Sequence, residues 1–344
     1  MANMDSEIKR RKQRWIDLYN DDKTGGAVIL VHPNYGIRPL PYPENKNQRI
    51  EFSLNMYKIQ SDSVEFIDDD KIPYIHPYTG TELFAGAFGC KISYPDNDMP
   101  FAMPFIHNSK EAAKIKYPSL KDSPPINEIF EIADKLRDFA PDAVMQLPDI
   151  QSPLDIAALI WNKEDFFAAM YDDPEAVKDL IAMTEKFLTE FLDLWFERYG
   201  TEFIAHYPDY YMPNGITFSE DEVGAISPEM FEEFSLDSLN RLTERYGNMA
   251  GMHCCAHSLH QWENFKKIKN LKLLNINLTD KIHQKAYKYF ENLYVQMHNS
   301  NISDELWTDK ANHKNLRVVI QEYTQSVDEA AERCKILREK YSVN

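Results

Sequence analysis

Positive charge is scarce in this chain. Its 344 residues carry 38 lysines and arginines against 55 aspartates and glutamates, a formal net charge of -17. A surface that binds nucleic acid needs clustered cations for phosphate contacts, so nucleic acid is excluded as a partner. The one basic run, Lys9 to Arg14, reads as the solvated face of a first helix that ends in Trp15, Ile16 and Leu18. Cysteine is equally rare: there are 4, two of them adjacent, which rules out a disulfide framework and suits a reducing compartment. Long apolar runs are missing too. The longest aliphatic stretch, Ala27 to Val31, is far too short to span a bilayer, and the charged amino terminus lacks an apolar h-region. These absences predict a cytoplasmic, soluble protein with no membrane partner.

What the chain does have is concentrated at Gly251 to His260, Gly-Met-His-Cys-Cys-Ala-His-Ser-Leu-His. Three of the 10 histidines and two of the 4 cysteines fall within eight residues of one another, and these are donors that bind zinc. Met249 to Met252 is short and apolar, as a strand is. Ser258 and Gln261 have capping-box form ahead of the amphipathic run Trp262, Phe265, Ile268. The cluster therefore sits at a strand-to-helix junction. In parallel α/β folds the carboxyl ends of strands gather ligands and catalytic groups. On a strand the i and i+2 side chains share a face, so His253 and Cys255 can reach one ion while Cys254 points away.

The rest of the chain alternates strand and helix. Strands are predicted at Ala27–His32, Ile72–Tyr78, Ala143–Leu147, Thr201–Tyr207, Leu271–Ile276, Leu293–Met297 and Leu316–Gln321. Helices are predicted at Lys9–Tyr19, Asn47–Ile59, Asn127–Phe139, from Asp173-Pro174 to Tyr199, from Ser227-Pro228-Glu229 through Tyr246, and at Val327–Tyr341 behind the capping box Ser326 to Glu329. Thr79 to Asp98 reads as an irregular excursion, and Asp68 to Asp70 as a solvated acidic loop. Short strands, apolar on both sides and separated by helices, argue for a parallel sheet, and no linker interrupts them. A closed (β/α)8 barrel forming one domain over residues 1–344 is the economical reading.

Polar groups at other strand ends complete the candidate list. His206, Asp209, Tyr210 and Tyr211 follow the Thr201–Tyr207 strand. Asp209 suits orienting a histidine, and a tyrosine hydroxyl suits donating to a substrate oxygen, although an aromatic loop that packs as a lid explains the run equally well. Asp221, in Ser219-Glu-Asp-Glu, is either a capping acid or a group turned into the pocket, and the polar neighbours Thr217 and Ser219 favour the pocket. Tyr35 and Arg38 lie in the proline-rich loop Pro33 to Pro43. With His206, Tyr210, Tyr211 and His257 they are the substrate-binding candidates, while His253, Asp209 and Asp221 are the catalytic ones.

The order Phe88-Gly89 with a Tyr94-Pro95-Asp96 turn, then Asp173-Pro174-Glu175, then Ile226-Ser227-Pro228-Glu229-Met230-Phe231, then His253-Cys254-Cys255 resembles the uroporphyrinogen decarboxylase superfamily. That superfamily also holds zinc-dependent methyltransferases, which move methyl groups between corrinoid proteins and thiol or pterin acceptors. The resemblance covers the chain from about the first strand to the last helix and implies a (β/α)8 barrel. It also admits a homodimer, since family decarboxylases can pair their barrel mouths.

Within the superfamily the residues point away from porphyrinogen decarboxylation. The arginine-rich segment after the first strand is replaced by His-Pro-Asn-Tyr-Gly-Ile-Arg, in which only Arg38 can hold a carboxylate. The Asp-Ile-Leu motif has no counterpart in Ile72 to Thr79. The methyltransferase branch uses His-x-Cys plus a distant Cys, and His253-x-Cys255 matches the first half. After the last strand this chain has Gln321-Glu322-Tyr323 and no cysteine. Glu322 is the substitute third ligand and His257 its rival. Cys334 reads as a small buried hydrophobe of the final helix, and Cys90 finds no role.

The resemblance thus implies a methyltransferase with zinc on His253, Cys255 and Glu322, a small-molecule substrate, and a separate corrinoid protein as partner, since no cobalamin domain is present. A metal-free pocket using His253 as acid, base or hydrogen-bond donor stays open. So do a decarboxylase using Arg38 for the carboxylate and His253 or Asp209 for proton transfer, and a non-catalytic binding protein.

Overall fold

The computed structural model describes residues 2–20, 25–37, 46–95, 99–309 and 311–341. Twelve strands run in chain order: β1 (Gly26–Pro33), β2 (Tyr74–Ile75), β3 (Lys91–Ser93), β4 (Phe101–Met103), β5 (Val144–Gln146), β6 (Phe203–Ile204), β7 (Tyr211–Met212), β8 (Ile216–Ser219), β9 (Ala250–Cys254), β10 (Leu271–Ile276), β11 (Val295–Gln296) and β12 (Arg317–Thr324). β1, β12, β11, β10, β9 and β8 form one sheet in that order, with every neighbouring pair parallel. β2, β5 and β6 form a second parallel set, on which β7 folds back antiparallel. A parallel bridge between Gln151 and Ser219 joins the two. No helix intervenes between β6 and β8, so they share the fourth barrel position, and the sheet closes as a (β/α)8 barrel. The β3–β4 pair stands outside it; β3 falls within the expected excursion Thr79 to Asp98 and β4 just beyond its end.

The strands form where β-branched and aliphatic residues run between helices. Every residue of β9 is buried, as a strand needs when helices cover one side and barrel interior the other. The outer layer is exemplified by the helix Pro174–Tyr199. Proline starts it, Gly200 with φ 88 ends it, and Val177, Leu180, Ile181, Thr184, Phe187, Leu188, Phe191, Leu192, Trp195 and Tyr199 form its buried stripe. Phe130, Phe191, Trp195 and Tyr199 pack as one aromatic cluster. Each such side chain contributes about 1.5–3 kcal/mol by burial, more than an exposed ion pair supplies.

Several local expectations are corrected. Asp69 and Asp70 are buried rather than solvated. Their carboxylates accept the N–H groups of Val31 and Ile29 at 3.1 and 2.8 Å and so occupy the edge of β1 that faces β2. Arg11, also buried, pairs with Asp69, and Arg14 and Arg338 pair with Asp70. The basic run of the first helix thus reaches inward as well as into water, because strand-edge N–H groups need acceptors and buried acceptors need cations. Ser219 belongs to β8, and Ser258 makes no side-chain cap bond. Ser326 Oγ does accept the Glu329 N–H at 3.2 Å, while the Glu329 carboxylate accepts the N–H of Gln325, one residue before the cap, at 2.7 Å. The Thr201–Tyr207 strand is shortened to β6, and the chain turns back through a cis Tyr207–Pro208 bond into β7. Among the described residues no helix is long and apolar enough to cross a membrane.

Candidate active site

The carboxyl ends of the barrel strands surround a cavity of about 300 Å³ lined by His76, Asp149, Gln151, His206, Ser219, Asp221 and His253, with Thr79, Thr81, Met99 and Tyr207 completing the wall. Its imidazole, carboxylate and amide groups are delivered by strand ends, while Thr81 sits at the N-cap of the helix Glu82–Ala87. His76 follows β2, Asp149 and Gln151 follow β5, His206 follows β6, and Ser219 and Asp221 close β8.

At one side the ligand atoms of Asp221, His253 and Cys255 all lie within 4.8 Å of one another. His253 donates from Nδ1 to Oδ1 of Asn275 at 2.5 Å, and Asn275 is itself held by the carbonyl of Met297. That bond fixes the tautomer and leaves Nε2 as the free donor atom, the arrangement typical of metal-bound histidine. Burial lowers the His253 pKa, so the ring is neutral, its ligating form. One oxygen of Asp221 accepts the backbone N–H of Cys255 at 2.6 Å. Burial, reinforced by the Asp221 charge, pushes the Cys255 thiol up to about 12. A carboxylate and a sulfur so placed repel as anions, and a divalent cation removes that penalty. One nitrogen, one sulfur and one oxygen donor with open space beside them fit a zinc site that keeps a coordination position for substrate.

Across the cavity Asp149 accepts from Gln151 Nε2 at 2.7 Å and lies 3.4 Å from His206 Nε2, which also bonds Ser219 Oγ at 2.9 Å. Burial raises Asp149 to about 6 and pushes both His206 and His76 down to about 3. Both histidines are therefore neutral near pH 7, and Asp149 titrates close to it. Tyr207 stands edge-on to His253 with ring centroids 4.7 Å apart.

The structure thus brings His253, Cys255, Asp221 and His206 together. Glu322 is not among them: it pairs with Arg333 of the final helix at 2.8 Å, because its position on β12 points it to the helical layer. His257 is exposed beyond the cluster. Tyr211 bonds Glu202 on the outside of the barrel, and Tyr210 is buried below the cavity on Thr217. Asp209 is held in a neighbouring group by Tyr74 at 2.5 Å and Gln146 at 2.9 Å. Tyr35 lines a small separate void with Arg11 and Lys71, and Arg38 lies outside the described residues. Cys334 and Cys90 are buried.

Asp149, Gln151, His76 and Asn275 were not singled out from the sequence. Asp149 and Gln151 follow a strand that the sequence did reveal, so the strand-end rule would have found them, whereas His76 lay inside the predicted strand Ile72–Tyr78, which the structure ends at Ile75. Asn275, inside a predicted apolar strand, gave no signal beyond being polar in the core.

No curated protein is detectably similar in sequence. A methyltransferase from Methanosarcina mazei is similar in structure, with a TM-score of 0.65 over 97% of this chain and 99% of that chain at 12% identity, a likeness of fold. The family model of uroporphyrinogen decarboxylase (URO-D) matches residues 78–299, a span that includes all three clustered donors and every cavity residue except His76, and on that match the chain belongs to the uroporphyrinogen decarboxylase family.

Proposed function

We propose that this chain is a zinc-dependent methyltransferase, in which His253, Cys255 and Asp221 hold the metal and the adjoining cavity binds a thiol or pterin acceptor. A separate corrinoid protein, docked over the barrel mouth, is the methyl donor. The observation that carries the reading is the convergence of nitrogen, sulfur and carboxylate donors beside the cavity, with the His253 tautomer set by Asn275. When bound, zinc supplies stabilisation of an acceptor thiolate at neutral pH. The chain's own groups do the rest. Asp149, titrating near 6, takes up the proton that the acceptor gives up. His206 links Asp149 to Ser219 and keeps its carboxylate aimed into the cavity. Tyr207 lines the site edge-on to His253.

Among the described residues no lysine or arginine lines the cavity. A polycarboxylate would find no fixed positive charge there, which weighs against the decarboxylase reading. On this proposal the chain works as one barrel domain in the reducing cytoplasm.

The test is the zinc content of protein purified without chelator or affinity metal. About one zinc per chain is expected, lost in Cys255→Ala and Asp221→Ala and retained in Glu322→Ala. A wild type that holds no metal after zinc is supplied overturns the proposal.

A further inference from the structure

The turn that presents Asp221 is made of three consecutive acids, Glu220, Asp221 and Glu222, between β8 and a short 3-10 turn. Such a turn repels itself and needs a reason to hold one shape. The reason lies on a different element. Asp155, in the first turn of the helix Pro153–Ile160 and 5% exposed, accepts the backbone N–H of Asp221 on Oδ2 at 2.7 Å and that of Glu222 on Oδ1 at 3.0 Å. Its own N–H is held by Ser152 Oγ at 3.0 Å, and the Ser152 N–H donates to the Ser219 carbonyl at 2.8 Å. From the turn the bonds continue to the other donors. Glu220 N–H donates to the His253 carbonyl at 2.9 Å, and Asp221 Oδ1 accepts from Cys255 N–H at 2.6 Å.

We infer that Asp155 is the positioning residue of the metal centre: its two oxygens clamp two successive backbone amides and so preset the Asp221 carboxylate against His253 and Cys255. The inference rests on the metal reading of the site and adds a residue that touches none of the donor atoms itself. Two converging N–H donors need an acceptor with two oxygens at carboxylate spacing. Lys163 pairs with Glu222 at 2.5 Å, but Asp155 and Asp221 still meet as two acids, an unfavourable placement. A cation at Asp221 offsets the same repulsion, so the clamp and the metal support each other.

The test uses the full chain stripped of metal, titrated with zinc against a chromogenic chelator and separately with cobalt(II) followed by absorbance. Asp155→Asn, which keeps one acceptor oxygen, is expected to weaken zinc binding about 10-fold, and Asp155→Ala up to about 100-fold. In both variants the sulfur-to-cobalt charge-transfer band from Cys255 is expected to persist, while the ligand-field bands shift as the Asp221 oxygen loosens. A merely structural role would move the unfolding temperature and leave that spectrum alone. Wild-type affinity and spectrum in folded Asp155→Asn overturn the inference. Should the Asp155 variants fail to fold, Ser152→Ala decides, because it frees the helix turn that carries Asp155 while leaving the carboxylate in place: a several-fold loss of affinity supports the clamp and no change overturns it. A wild type that takes up neither zinc nor cobalt removes the metal reading, and this inference with it.

Discussion

Nδ1 of His253 donates to Oδ1 of Asn275 across 2.5 Å, and both residues are buried. They occupy paired positions on neighbouring parallel strands, β9 and β10, so the sheet register itself sets the ring orientation. The amide is fixed in turn by the carbonyl of Met297, which determines which of its atoms faces the histidine. Removing that acceptor frees the imidazole to flip or change tautomer. Asn275→Ala is expected to lower zinc affinity 10- to 100-fold, at the scale typical of lost support behind a metal ligand. Competition titration against a chelator measures it, and unchanged affinity would show that the ring is held by packing alone.

Asp149 gives the metal-free protein a defined pH dependence. Burial raises its pKa to about 6, against about 4 in an unfolded chain. Between those values the native state keeps a proton that the unfolded chain has released. Stability therefore falls as pH rises from about 4 to about 6 and stays lower above. Asp149→Asn lacks this penalty. Its melting temperature relative to wild type should be clearly higher at pH 7.5 than at pH 4. Equal differences at the two pH values would mean that Asp149 is ordinary in the folded protein.

Gly251 is needed for its missing side chain. A Cβ there would lie 1.9 Å from the hydroxyl of Tyr210, which is buried and bonded to Thr217 at 2.8 Å. Gly251→Ala must push Tyr210 or β9 aside, at a cost of about 1–3 kcal/mol. Urea denaturation should show the loss, and Tyr210→Phe, by removing the closest atom, should recover part of it. Additive effects in the double variant would contradict the contact.

The sequence by itself determined the architecture and singled out the candidate cluster around His253. Strand and helix periodicities near Ala27–His32, Leu271–Ile276 and Val327–Tyr341 are local properties, set by side-chain alternation and caps within a few residues, and they match the structure to within two residues at each end. His253 and Cys255 were legible as a local cluster of donors, although β9 ends at Cys254 and Cys255 lies just beyond it, so the strand alternation does not itself place the sulfur.

Only the tertiary structure decided what joins them. Asp221 is 32 positions from His253 in sequence and is brought to it by the pairing of Ser219 on β8 with His253 on β9, whereas Glu322 is carried outward to Arg333. Strand β8 itself escaped sequence reading because Thr217 and Ser219 are polar yet buried, facing a functional interior in which a hydroxyl finds partners. Asp69 and Asp70 looked like a solvated run for a similar reason. A carboxylate reads as surface until a strand edge short of acceptors and three arginines from two helices meet it. Local pattern fixes which face a residue occupies, but the partner that makes a buried charge tolerable comes from a distant part of the chain, and only closure of the barrel supplies it.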